Sequence, residues 1–167
     1  MIFFNGKELI SSNTQIGGRN YLLNSVDFTH KWEFYGASSI SDKTYLGGKI
    51  INLANDGDNT HNVQQIADNI CDGVSQMTWS CFARADNEGD ELHTELWGSK
   101  SSYNQPLIPT WQRYIFTGFL DEKDHHLYFW GNSKNKGSIQ IALPKLEIGP
   151  IATDWTPAPE DFLNERN

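Results

Sequence analysis

From residue 77 to 85 the chain reads Met-Thr-Trp-Ser-Cys-Phe-Ala-Arg-Ala, a strict alternation of environment. On an extended backbone it puts Met77, Trp79, Cys81 and Ala83 on one side, and Thr78, Ser80, Phe82 and Arg84 on the other. The same period of two, rich in β-branched and aromatic residues, marks runs at 21–24, 49–53, 62–66, 91–97, 111–120, 125–130 and 138–143. Turn-forming clusters separate them: Ser41-Asp42, Asn55-Asp56-Gly57-Asp58-Asn59, Asp86-Asn87-Glu88-Gly89-Asp90, Asp121-Glu122-Lys123-Asp124 and 131–137. No segment keeps an apolar stripe of helical period for three turns. About eight or nine short strands with regular turns predict one all-β domain, a two-sheet sandwich or jelly roll. Around Tyr114 the inward side stays open, because Ile115 and Phe116 both suit a core.

The 167 residues include Phe 9, Trp 6 and Tyr 6, too aromatic for a disordered segment. Asp+Glu 21 outnumber Lys+Arg 13, for a net charge of −8. That excess of acid argues against nucleic acid, whose phosphates need a basic stripe, and against an anionic membrane surface. No run approaches the ~18 apolar residues of a membrane span. The opening, Met1-Ile2-Phe3-Phe4-Asn5-Gly6-Lys7, lacks the basic region and apolar length of a secretion signal. Cys71 and Cys81 show no Cys-x-x-Cys spacing, so neither a zinc site nor a disulfide framework is expected. Cys81 reads as a small buried hydrophobe. Residues 1–16 read as a leader or the remnant of an upstream segment, 17–161 as the sandwich and 162–167 as a tail. The prolines of 150–161 forbid a central strand, so this stretch is expected to run extended along the surface with Trp155 as its anchor.

The candidate chemistry lies in Glu91-Leu92-His93-Thr94-Glu95-Leu96-Trp97. Alternation puts Glu91, His93, Glu95 and Trp97 on one face. Carboxylates and imidazoles take hydrogen bonds from sugar hydroxyls, and an indole covers the apolar C–H face of a pyranose. A solvated outer sheet face is the plain alternative; Trp97 weighs against it, because an exposed indole needs a reason. If Leu127 and Phe129 face inward, then His126, Tyr128 and Trp130 point out and form a second candidate set. Phe82 and Arg84 would extend the same platform, Arg84 donating to sugar oxygens as a fork; the plainer alternative, and the better one for Arg84 alone, is a side chain solvated at a strand end. Trp79 is assigned to the core, and Trp32 and Trp111 to structure. Trp97 and Trp130 remain as the sugar-stacking pair.

Glu-Leu-His-Thr-Glu also resembles, loosely, the Glu-x-Asp-x-Glu strand of laminarinase-like glycosidases, with His93 in place of the central Asp. Nothing else in the chain supports that family, and no nucleophile elbow, phosphate loop or dinucleotide motif is present. No catalytic residue and no cofactor are assigned.

A sharper resemblance rests on Gly17-Gly18-Arg19-Asn20-Tyr21-Leu22-Leu23-Asn24-Ser25 with Trp32 and Gly36-Ala37, and on Pro144-Lys145-Leu146-Glu147-Ile148-Gly149 followed by Ala152-Thr153-Asp154-Trp155-Thr156-Pro157-Ala158-Pro159-Glu160-Asp161. Met77–Arg84, Trp111-Gln112-Arg113-Tyr114 and Tyr128-Phe129-Trp130-Gly131 fit between them. The sequence resembles, over 17–161, a carbohydrate-binding module found in tail proteins of phages of Gram-positive bacteria. The resemblance implies a jelly-roll β-sandwich of two antiparallel sheets, related to xylan- and glucan-binding modules. It also implies a non-catalytic role in the tail or baseplate of a virion assembled in the host cytoplasm. There the module would grip host cell-wall polysaccharide at the bacterial surface beside other phage tail and baseplate proteins. Arg19, Lys145 and Trp155 are expected to tie the first and last strands together. Related modules often carry a structural calcium, but the positions of its ligands look like Thr29, Ala142 and Leu143, so calcium is not predicted. The alternatives are a structural or interaction domain of the tail that binds no sugar, and a glycosidase using Glu91 and Glu95.

Overall fold

The computed structural model describes residues 2–4, 7–10, 18–67, 70, 76–97, 101–119, 125–132 and 137–162. Its strands are β1 (Ile2–Phe4), β2 (Lys7–Ile10), β3 (Trp32–Phe34), β4 (Ser39–Tyr45), β5 (Gly48–Ala54), β6 (Asn62–Ile66), β7 (Gln76–Ala85), β8 (Glu91–Leu96), β9 (Ser101–Pro106), β10 (Gln112–Phe119), β11 (His126–Gly131) and β12 (Ser138–Ile148), followed by a 3-10 turn, Pro159–Phe162. Strands β1 and β2 pair as a hairpin. The others form two five-stranded sheets, ordered β10-β7-β12-β5-β4 and β3-β6-β11-β8-β9, with antiparallel pairing throughout. The fold is a jelly-roll β-sandwich.

Alternation decides which side chains fill it. Met77, Trp79, Cys81, Ala83 and Ala85 of β7 face Leu92 and Leu96 of β8 and Leu127 and Phe129 of β11 across one buried core. Phe116 stacks on Trp79 at 5.8 Å while Ile115 is exposed, which answers the open parity around Tyr114. Gly131 ends β11 where the two sheets touch: a Cβ there would lie 2.3 Å from the Ala54 carbonyl oxygen.

Several expectations need correction. Residues 21–24 form turns, not a strand. Side chains take the place of ladder partners there: Asn20 Oδ1 accepts from the Leu22 and Leu146 amides, and Gln65 pairs with both the amide and the carbonyl of Leu23. Ser41 and Asp42 lie inside β4, at a register shift between Ser41 and Thr44. The true turn is Leu46-Gly47, both at positive φ, in a two-residue hairpin between Tyr45 and Gly48. Strand β12 runs on past residue 143 because Pro144 falls at its bulge, where no ladder N–H is needed. Strands β3, β4 and β9 lack a clear alternation. Cys71, Gly17 and the cluster 121–124 lie outside the described residues.

The outward face of the first sheet is covered. Ile50, Ala142 and Leu143 are buried beneath Val26, Tyr45, Phe82, Trp111 and Trp155. The segment from residue 150 runs over it without regular structure until the 3-10 turn, and Trp155 Nε1 donates to the Pro144 carbonyl at 3.2 Å. Beneath that strap Lys145 and Glu147 pair at 3.2 Å, both fully buried. Lys145 Nζ also donates to Thr153 Oγ1 (2.7 Å) and the Asp154 carbonyl (2.6 Å). Arg113 reaches the Thr153 carbonyl, and Arg19 pairs with Glu160. Asn20, fully buried, donates to the carbonyls of Pro144 and Thr156 and so joins both ends of the chain to β12. Lys145, Trp155 and Arg19 therefore all serve the terminal clasp.

Candidate functional site

The second sheet carries no such cover among the described residues. Of its outward side chains only Gln64 is buried. Register places these side chains in rows across the strands. One row runs Glu33, Gln64, Tyr128, Glu95 and Ser102; a second runs Asn62, Trp130, His93 and Asn104. Beside the first lie Ile66 and His126, whose carbonyl accepts the Trp97 amide at 2.8 Å.

Six of the eight sequence-predicted residues meet here: Trp97, His93, Glu95, Trp130, Tyr128 and His126. Trp97 is 50% exposed and tilts toward Tyr128, with ring centroids 6.0 Å apart. It presents the open indole surface of the face. Trp130 differs from expectation, because the His93 imidazole stacks on one side of it at 3.6 Å and 21°. His93 Nδ1 lies 2.6 Å from Asn104 Oδ1, and its Nε2 lies 3.5 Å from Glu95 Oε2. Asn132 Nδ2 donates to Asn104 Oδ1 (2.9 Å) and Glu91 Oε2 (3.3 Å). Imidazole, amides and carboxylates are thus held in fixed relation along the row.

Phe82 and Arg84 do not join this platform. Strand β7 lies between β10 and β12 in the first sheet, and the chain changes sheet at the 86–90 turn. On that opposite side Phe82 packs with Tyr45, and Arg84 Nε donates to Gln140 Oε1 at 2.7 Å. Adjacency in sequence suggested a shared face; strand pairing separated them.

Sequence reasoning missed Glu33, Gln64, Tyr35, Asn104 and Asn132. Asn and Gln carry no aromatic or charge signal, and β3 and β9 show little alternation. Glu33 Oε2 accepts from Gln64 Nε2 (2.6 Å) and Tyr35 Oη (2.9 Å). These bonds, Gln64 first, hold the Glu33 carboxyl below the usual carboxylate range, while accepting Glu33 raises the Tyr35 hydroxyl. The five strands of this sheet contain no Lys or Arg at all. The face offers hydrogen-bond acceptors and aromatic planes, which suit hydroxyl-rich, uncharged or amine-bearing ligands.

Glu91 and Glu95 are four residues apart on one strand, about 13 Å of backbone. The His93 ring stands between them on the same outward face; Asn132 Nδ2 donates to the Glu91 carboxylate and His93 Nε2 faces that of Glu95. Among the described residues no three His, Cys, Asp or Glu gather to hold a metal. At the positions matching calcium ligands, Thr29 Oγ1 donates to Asp27 Oδ1, and Ala142 and Leu143 are buried apolar side chains.

No family model matches the sequence, and no curated protein does. Solved structures do resemble it. The CBM22-1 xylan-binding domain of Paenibacillus barcinonensis Xyn10C aligns with a TM-score of 0.59 at 10% identity, over 81% of this chain and 98% of that one. The carbohydrate-binding module CBM6cm-2 of Cellvibrio mixtus lichenase 5A, solved with cellotriose, aligns at 0.51 and 14%, over 72% and 93%. The enzymatically active domain of bacteriophage CBA120 tailspike protein 4 aligns at 0.54 and 14%, over 78% of this chain and 21% of that one. At such identities the likeness concerns fold: the chain is a jelly-roll β-sandwich of the kind built by carbohydrate-binding modules.

Proposed function

We propose that the outward face of β3-β6-β11-β8-β9 binds polysaccharide without cleaving it. The observation that carries this reading is the half-exposed Trp97 beside Tyr128, set among Glu95, His93 and His126 on a sheet free of Lys and Arg. Sugar stacks on the indole, and its hydroxyls donate to the carboxylates. Such a site binds weakly, since each hydrogen bond to the ligand replaces one to water at about 0.5–1.5 kcal/mol net. Many copies acting together supply the grip. The motifs of residues 17–161 support a place in the tail or baseplate of a phage of a Gram-positive host, with cell-wall polysaccharide as the ligand. The face suits a neutral or amine-bearing polymer better than a strongly anionic teichoic acid.

The test is to titrate purified wall polysaccharides against the wild type and Trp97→Ala by calorimetry. Binding that drops at least tenfold in Trp97→Ala supports the site. Wild-type protein that binds no glycan sinks the reading. A second reading, a tail domain that touches only protein, draws on exposed Ile115 and Phe119 of edge strand β10. It predicts no glycan binding, and an association with another tail protein that Phe119→Ser abolishes.

A further inference from the structure

A recess opens at the β3 edge of the same face, lined by Lys31, Trp32, Glu33 and Ile66, with a volume of about 270 Å³. Pockets for drug-sized ligands run roughly 300–1,000 Å³. This one has room for a single sugar ring, not for a chain.

We infer that the recess is a distinct subsite of the polysaccharide-binding face, taking one neutral sugar unit through hydroxyls that donate to Glu33. The inference rests on the function proposed above and adds residues that neither the aromatic pattern nor the family resemblance singled out. Its first support is the restraint on Glu33. An exposed glutamate ordinarily samples many rotamers, yet here Gln64 and Tyr35 both donate to Oε2 and fix the carboxylate. Among the described residues Oε1 accepts no hydrogen bond, which leaves both of its acceptor positions open to a ligand. A group fixed before binding loses less entropy when the ligand arrives. The same two donors keep the carboxylate ionised and therefore purely an acceptor.

The second support is the wall. Ile66 is 40% exposed on the outward face and flanks Glu33 with apolar surface, as a pyranose C–H face requires. The third is position. Gln64 pairs with Tyr128 and Tyr128 with Glu95, so the recess stands three strand spacings from Trp97's strand, about 14 Å. A short oligosaccharide crossing the sheet would reach from the indole into the recess.

Calorimetric titration with size-fractionated fragments of Gram-positive wall polysaccharide tests this. Three variants join the wild type: Glu33→Gln, Ile66→Ser and Tyr35→Phe. For long fragments, Glu33→Gln is expected to weaken binding roughly tenfold, the worth of one charge-assisted hydrogen bond, and Ile66→Ser several-fold, from the lost apolar contact. Tyr35→Phe, a positioning change, should cost only a few-fold. For the shortest fragments that Trp97 alone retains, all three variants should match the wild type. Equal affinity of Glu33→Gln and Ile66→Ser for every length, with Trp97→Ala still impaired, overturns the subsite and leaves the face intact. Failure of the wild type to bind any fragment overturns both.

Discussion

Trp79 Nε1 donates a hydrogen bond to Thr94 Oγ1 at 3.0 Å, in the middle of the core. Thr94 passes it on to the Tyr128 carbonyl at 2.9 Å. The largest fully buried side chain is thereby tied through the core to the two strands that carry the candidate site, directly beneath His93 and Glu95. Thr94→Val keeps the shape and removes both bonds. It should cost about 1–3 kcal/mol, because two buried polar groups lose partners. The expected fall in Tm is about 2–4 °C per kcal/mol at this chain length, read by calorimetry. An unchanged Tm would show that the indole N–H finds another acceptor.

The buried Lys145–Glu147 pair predicts asymmetric mutational costs. Burial pushes the Lys145 ammonium below its ordinary pKa, so its charge depends on Glu147 and the strap carbonyls. Lys145→Met should cost about 3–5 kcal/mol, leaving a buried carboxylate without its cation. Lys145→Met combined with Glu147→Leu should cost less than Lys145→Met alone. Urea melts of the variants measure the coupling; simple additivity would refute it.

Cys81 predicts a pH effect. Burial raises its thiol from 9.0 to about 12. The unfolded thiol ionises first, so between about 9 and about 12 the unfolded state binds fewer protons and stability falls as pH rises. The slope from this group is about 1.4 kcal/mol per pH unit, and below pH 9 its contribution is fully retained. Cys81→Ala should flatten the alkaline loss of stability relative to the wild type. Parallel curves would contradict the burial argument.

Leu46 occupies a left-handed backbone position, φ 48°, with its side chain 69% exposed. A branched residue there costs roughly 1–2 kcal/mol and gains no burial. Leu46→Asn should raise stability by about 1 kcal/mol, since Asn tolerates both central positions of such a hairpin turn. A lower Tm in Leu46→Asn would show that Leu46 packs in a way its exposure conceals.

Alternation alone disclosed β7, β8 and β11, together with the outward set His93, Glu95, Tyr128 and Trp130, because the pleat sorts a strand's residues by period. It failed at 21–24, where the side chains of Asn20 and Gln65 satisfy the backbone from a distance. It failed also at β9, whose Ser-Ser-Tyr-Asn-Gln-Pro has no apolar rhythm yet supplies Asn104.

By itself the sequence determined an all-β, aromatic, acidic domain and the inward and outward sides of β7, β8 and β11, since those follow from local sterics and hydrophobicity. Only the tertiary structure decided which strands are neighbours. Pairing separated Arg84 from Glu95 by the thickness of the sandwich, although the two lie close along the chain. It also set His93 against Trp130, which turns one of the two expected stacking surfaces into an internal contact. And it brought Glu33 to Gln64 and Tyr35, building a fixed carboxylate from residues that no local pattern marks. Hydrogen-bonded register is a property of strand pairs, and a single strand's sequence does not contain it.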